Sequence, residues 1–153
     1  MKRLFYLLAA AAFTACGSAT TLSVMTFNMR YDNPEDGADN WRFRRGRVAE
    51  VIASHGVDVF GTQELLANQL GDLKRLLPGY AAVGVGREDG AEAGEFSAVF
   101  YRRDRFTPLE SGTFWLSETP DVAGSKGWDG ACERVATWVV LHDREGGREF
   151  LFV

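Results

Sequence analysis

The sequence predicts an α/β protein built on a mixed β-sheet with helices over one face, and three observations carry that prediction. Two apolar strand-like runs, Leu22 to Met29 and Val57 to Thr62, alternate with two helical stretches. The second part of the chain then holds several strands with no long helix between them. A Gly146-Gly147 turn joins the last two as a hairpin. The order β-α-β-α followed by hairpins is that of a mixed sheet covered by helices on one side.

Taken in order, Leu22 to Met29 (LSVMTFNM) is apolar on both faces, as a covered strand requires. A helix is predicted from about Trp41 to Ser54. Its apolar positions Val48, Val51, Ile52 and His55 fall at helical spacing, with Arg44, Arg45, Arg47 and Glu50 around the other side as a solvated face. After a turn at His55-Gly56, Val57 to Thr62 (VDVFGT) repeats the covered-strand pattern. A second helix spans about Leu66 to Leu77, with Leu66, Leu70, Leu73 and Leu77 as its stripe and Pro78-Gly79 as its stop. Further strands are expected at Tyr80 to Gly86, Phe96 to Arg102, Arg134 to His142 and Glu149 to Val153. Acidic, Gly-containing stretches at Arg87 to Gly90 and Ala91 to Glu95 interrupt them. Phe114 to Trp128, with Pro120, Gly124 and Gly127, reads as a long ordered loop of the kind that carries function.

The first residues read as an address. Lys2 and Arg3 precede the apolar run Leu4 to Phe13, which is too short to span a bilayer, and small residues follow. Residues 1–15 are therefore expected to be a signal peptide. Thr14-Ala15-Cys16-Gly17-Ser18 resembles a bacterial lipobox, which implies a lipid anchor at Cys16 and a mature protein at the cell envelope. Phe13 stands where lipoboxes usually have Leu, so secretion with cleavage nearby is the alternative. With only Cys16 and Cys132, no disulfide framework holds the domain, and a core or a metal must. The 46% hydrophobic content supports a core, and a net charge of -4 gives no general basic footprint for nucleic acid. Glu149 to Val153 is an apolar strand still running at the last residue, which suggests the front part of a longer domain.

The candidate chemistry lies where the two covered strands end in polar groups, at Asn28-Met29-Arg30 and at Gly61-Thr62-Gln63-Glu64. If the helical connections make these strands parallel, both ends reach one rim of the sheet, where open α/β sheets place ligands. An amide oxygen beside a carboxylate suits Mg²⁺, Mn²⁺ or Ca²⁺. Asn and Glu at such positions also serve as caps for the next element, so the pair alone does not decide. No Cys/His cluster of zinc type occurs.

Thr26-Phe27-Asn28-Met29-Arg30-Tyr31, Trp41-Arg42 and Asp58-Val59-Phe60-Gly61-Thr62-Gln63-Glu64 resemble the opening motifs of the endonuclease/exonuclease/phosphatase superfamily. The resemblance continues through Gly94 to Arg102, Phe114 to Pro120, Gly127-Trp128-Asp129, Arg134 and Thr137-Trp138. It implies a two-sheet α/β sandwich of the deoxyribonuclease I type and a metal-dependent hydrolase of phosphate esters. The substrate would be nucleic acid, a phospholipid head group or a small phosphorylated molecule.

The resemblance also implies roles. Glu64 matches the metal-binding glutamate and Asn28 the asparagine beside it, with Mg²⁺ (or Mn²⁺/Ca²⁺) as cofactor. Glu95 matches a glutamate that hydrogen-bonds the catalytic histidine, and Arg134 a contact to substrate phosphate. A salt bridge to Glu133 or Asp129 is the other reading of Arg134. The family's later Asn-Thr-His, Gly-Asp-x-Asn and Asp-His segments do not occur here, so residues 16–153 alone are expected to be inactive. The isolated piece is also expected to leave an apolar sheet face for the missing C-terminal half or another partner. Glu88 to Glu95 and Phe114 to Trp128 are the candidate specificity loops, and Trp115 and Trp128 belong either to a substrate rim or to aromatic packing. A non-catalytic surface lipoprotein that binds a ligand or partner is the alternative function. His55 and His142 read as the ends of a helix and a strand.

Overall fold

The two apolar runs form adjacent strands, β1 (Val24–Asn28) and β2 (Val59–Gln63), in a computed structural model that describes residues 20–153. The expected signal peptide and Cys16 lie outside the described residues. β1 and β2 are parallel, with Val24 opposite Val59 and Asn28 opposite Gln63. A parallel pair needs a crossover, and α1 (Trp41–Ser54) supplies it after a 3-10 turn at Pro34–Asp39. The Asn40 side chain starts α1 by accepting from the Arg42 N–H at 3.2 Å. Next come α2 (Ala67–Leu76), β3 (Tyr80–Val83) and β4 (Val99–Arg102), and the first sheet has the order β1-β2-β4-β3 with β4 antiparallel to both neighbours. A second, antiparallel sheet is built from β5 (Phe106–Trp115), β6 (Val135–Asp143) and β7 (Arg148–Phe152).

Side-chain alternation along β2 explains why that strand is apolar throughout. Phe60 points to a core with Val48 and Ile52 of α1 and Leu73 of α2, and it stacks on Phe100 with ring centroids 4.7 Å apart. Val59 points the other way, into a core with Val99 and Tyr101 of the first sheet and Phe106, Val139 and Leu141 of the second. Helices therefore cover one face of the first sheet and the second sheet covers the other. β6 shows the matching period of two: Thr137, Val139, Leu141 and Asp143 are buried and the residues between them are not. Gly61 lies where β7 crosses β2, and a Cβ there would sit 3.5 Å from the Phe152 ring.

The structure departs from the sequence expectations in four places. β5, ten residues long, was not anticipated. Pro108 and Gly112 break its pattern, a register shift between Pro108 and Glu110 displaces Leu109, and half of the strand is exposed at a sheet edge, where proline is tolerated. It also takes Phe114 and Trp115 out of the expected loop. On α1 the buried residues are Trp41, Val48, Ala49 and Ile52, whereas His55 caps the helix in solvent. The arginines of α1 are not all a solvated face: Arg44 binds backbone carbonyls and Arg45 pairs with Asp72 at 3.0 Å. Finally, the chain contributes strands to both sheets, so their facing surfaces cover each other. The edge strands among the described residues are β1 and β3 of the first sheet and β5 and β7 of the second, with Val24 on β1 and Leu151 on β7 exposed.

Opposite the rim that carries Asn28 and Glu64, an ion network ties the two sheets together. Arg105, at the start of β5, donates to both carboxylate oxygens of Asp143 at 3.1 and 2.8 Å and to Asp58 at 2.8 Å. Asp58 also accepts from the Ser23 N–H at 2.9 Å, and Arg105 reaches the Thr21 carbonyl at 3.1 Å. All three charged side chains are more than nine-tenths buried.

Candidate active site

β1 and β2 deliver Asn28 and Glu64 to the same rim, as parallel strands should. The Asn28 side-chain amide donates to Glu64 Oε1 at 2.9 Å, and the Tyr31 N–H reaches Oε2 at 3.4 Å. Asn28 Oδ1 in turn accepts from the Arg30 N–H at 2.8 Å. Glu64 and Arg30 both adopt the left-handed region, at φ +57° and +54°, which costs a non-glycine residue on the order of 1–3 kcal/mol. The surroundings hold that strain. Fully buried Gln69 accepts from the Leu66 and Asp32 N–H groups and donates to the Arg30 carbonyl at 2.9 Å. From the other side, the Arg44 guanidinium binds the carbonyls of Met29, Arg30 and Asp39.

The rim opens into a cleft of about 280 Å³, and all four residues singled out in the sequence, Asn28, Glu64, Glu95 and Arg134, line it. Arg87 and Glu133 line it as well; sequence reasoning gives Arg87 no role and Glu133 only that of a salt-bridge partner for Arg134. Arg87 sits on the loop from Gly86 to Glu95, which is built rather than slack. Asp89 Oδ1 accepts from the N–H groups of Ala91 and Ala93 at 2.8 and 2.9 Å, and those bonds hold its carboxyl below the usual aspartate range. Arg87 N–H donates to the Glu95 carbonyl, and the Arg87 carbonyl accepts the Trp115 indole N–H at 2.6 Å.

The two candidate specificity loops meet. Gly124, at φ +72°, approaches Glu88 so closely that a Cβ would lie 2.4 Å from its carbonyl oxygen. Trp115 is buried and packs the loops. Trp128 is 62% exposed and, with Asp129, left-handed at φ +51° and +57°.

The loop gives a direct structural prediction. A Cβ on Gly86 would stand 2.2 Å from the Ala93 carbonyl oxygen, whereas one on Gly71 meets nothing within 4 Å. Gly86→Ala is expected to lower stability by about 1–3 kcal/mol and to speed protease cleavage between residues 87 and 95. Gly71→Ala, inside α2, is expected to stabilise by roughly 0.5–1 kcal/mol. Equal melting temperatures for the two variants would contradict the geometry.

Charge in the cleft is divided unevenly. Glu95 Oε2 pairs with Arg87 Nη1 at 2.6 Å. Glu64, Glu133 and Arg134 make no ion pair among the described residues, so the salt bridge from Arg134 to Glu133 or Asp129 does not form here. Neither histidine lines the cleft. His55 Nδ1 lies 2.8 Å from the Val51 carbonyl at the end of α1, and His142, in β6, faces Glu149 at 4.0 Å. Among the described residues no three His, Cys, Asp or Glu side chains converge to enclose a metal. Glu64 with the Asn28 amide oxygen instead offers one carboxylate and a neutral oxygen, a donor set that fits a dication keeping much of its water, as Mg²⁺ does.

A two-sheet α/β sandwich with a polar cleft at the carboxyl rim of a parallel strand pair defines a deoxyribonuclease I-like protein. Residues 25–150 match the Endonuclease/Exonuclease/phosphatase family, and the chain belongs to it. No curated protein matches significantly. Among solved structures, an endonuclease/exonuclease/phosphatase from Bacteroides vulgatus is 47% identical with a TM-score of 0.86, over 87% of this chain and 51% of that one. A mannosyl-6-phosphatase from Bacteroides thetaiotaomicron is 48% identical with a TM-score of 0.84, over 86% of this chain and 50% of that one. The human Nocturnin catalytic domain with bound sulfate, 19% identical with a TM-score of 0.64 over 85% of this chain and 47% of that one, shares the fold. The chain thus spans about half the length of these relatives.

Proposed function

We propose that the complete protein is a metal-dependent hydrolase of phosphate esters, exported and held at the cell envelope through Cys16, and that residues 16–153 alone are inactive. The observation that carries this is the carboxylate of Glu64. It is positioned by Asn28 on a strained turn, lacks a cationic partner among the described residues, and shares a cleft with two guanidinium groups. Glu64 and the Asn28 oxygen would hold Mg²⁺ (or Mn²⁺/Ca²⁺). When bound, the ion supplies Lewis-acid polarisation of a phosphoryl oxygen. Arg134, exposed and unpaired among the described residues, offers its planar fork to the phosphate. Glu95 keeps Oε1 without a partner among the described residues, free to orient a further donor such as an imidazole. Inactivity of the piece follows from its histidines, both remote from the cleft, which leave no imidazole to take a proton from water.

A sugar phosphate is the first substrate class to test, because the 48% identical neighbour is a mannosyl-6-phosphatase and the net charge of -4 does not favour nucleic acid. Phosphate release from a hexose 6-phosphate by the complete protein is expected to stop with EDTA and return with Mg²⁺. Residues 16–153 alone should release none. Hydrolysis indifferent to chelation, or activity in the short piece, would overturn the proposal. A complete protein that binds phosphate esters without cleaving them would make it a binding lipoprotein instead.

A further inference from the structure

Arg87 is the charged side chain in the cleft whose role nothing above explains. We propose that Arg87 is a second phosphate-binding residue of this site, held in place by Glu95, and that it grips nonbridging phosphate oxygens with the donors its ion pair leaves over. The proposal rests on the reading of the cleft as a phosphate-ester site.

Three features point there. First, the Arg87 side chain is 15% exposed yet lines the cleft that contains Glu64 and Arg134. Second, a guanidinium has five N–H donors, and among the described residues only Nη1 is engaged, by Glu95. Its Nε is the single buried side-chain nitrogen or oxygen without a partner among the described residues. An orphaned buried donor costs on the order of 1–3 kcal/mol, so the guanidinium is not fully satisfied by protein partners among the described residues. Third, the pair is not needed to close the loop. The Arg87–Glu95 backbone bond, the Asp89 cap and the Trp115 indole already do so. Those bonds fix the backbone on both sides of the Arg87 side chain, so little further ordering is required when an anion binds. Glu95, through one oxygen at 2.6 Å, aims the guanidinium without using up its fork.

Charge bookkeeping agrees. With Glu95 neutralised by Arg87, the cleft keeps Glu64 and Glu133 against Arg134, which favours a cation before an anion. A dication would turn that balance positive, and the N–H donors of Arg87 that Glu95 leaves over then add hydrogen bonds to a third oxygen of a phosphomonoester that a diester does not offer.

The test is steady-state hydrolysis of a hexose 6-phosphate by the complete protein, with inorganic phosphate as a competing probe and a thermal melt of each variant. Arg87→Met is expected to raise KM and the inhibition constant of phosphate by roughly 10- to 100-fold, more than it lowers kcat, with Arg87→Lys in between. Glu95→Gln should raise the same constants less, because the guanidinium stays but loses its aim. A phosphate inhibition constant within twofold of the parent in Arg87→Met, alongside a lowered melting temperature, would make the pair a structural clasp and overturn the proposal. If Arg87→Met does not fold, Arg87→Lys decides, since it keeps the charge and the pairing with Glu95: an unchanged phosphate constant there also overturns it. Parent activity with Arg87-independent phosphate binding would sink this inference alone, whereas a parent that neither binds nor cleaves phosphate esters would sink the reading of the cleft with it.

Discussion

Glu64→Gln in the complete protein is expected to lower kcat/KM for phosphate-ester hydrolysis by about 10³-fold or more, the largest functional effect of any single change in the cleft. The substitution keeps the shape of the side chain and the hydrogen bond from Asn28, while removing the carboxylate that Asn28 orients at the rim and that has no cationic partner among the described residues. A charge placed for a dication is worth more than the neutral amide that replaces it, so the Mg²⁺ concentration giving half-maximal activity should rise as well. Folding should be nearly unaffected, because the backbone after Glu64, itself at φ +57°, is held by the Leu65–Phe96 bridge and by Gln69 on the Leu66 N–H rather than by the Glu64 charge. Glu64→Asp shortens the reach by one methylene and should fall between parent and Glu64→Gln. Asn28→Ala should cost less, since it removes the donor that orients Glu64 but not the charge. Near-normal kcat/KM in Glu64→Gln would remove the main support for the metal reading.

The rim that makes this prediction possible was legible in the sequence, and the reason is geometric. Two apolar runs separated by a helix-forming stretch make a parallel pair, and a parallel pair brings both strand ends to one edge. Asn28 and Glu64, 36 residues apart in sequence, therefore meet at 2.9 Å as expected. Arg87 was not legible. It stands in an acidic loop outside any strand pattern, and only the fold of that loop, set by Asp89 and Trp115, carries it to the cleft. β5 escaped for another reason: exposed edge strands tolerate Pro108 and polar residues, so the alternation that marks buried strands is absent. The pairing of Arg105 with Asp58 and Asp143 was equally hidden, since its partners lie 47 and 38 residues away in opposite directions along the chain. Local periodicity reports burial of apolar side chains and is silent on which buried charges meet.

That network carries the largest expected effect on stability. Arg105→Met should destabilise the folded protein by roughly 3–5 kcal/mol, because two buried carboxylates then lose the buried guanidinium that pairs with both. For a domain of this size the melting temperature should drop by roughly 10 °C or more. The pH dependence separates this cause from a simple loss of packing. In the parent, the Arg105 hydrogen bonds pull the Asp143 carboxyl down to about 2, below the unfolded value near ~3.9. A depressed pKa contributes stability that is fully present above the unfolded value and is lost as pH falls through the folded one, here on the order of 2 kcal/mol between about pH 5 and pH 1. In Arg105→Met the sign reverses. Without the guanidinium, burial of Asp143 opposes its charged form, so acid relieves the strain and the stability gap to the parent narrows as pH falls from 7 toward 4. Chemical denaturation at a series of pH values reads this directly. Neutralising the acids as well, in Arg105→Met with Asp58→Asn and Asp143→Asn, should recover most of the lost stability at pH 7. A pH-independent gap would mean that Arg105 acts through its packing against Phe106, whose ring centroid lies 5.1 Å from the guanidinium carbon, and not through its charge.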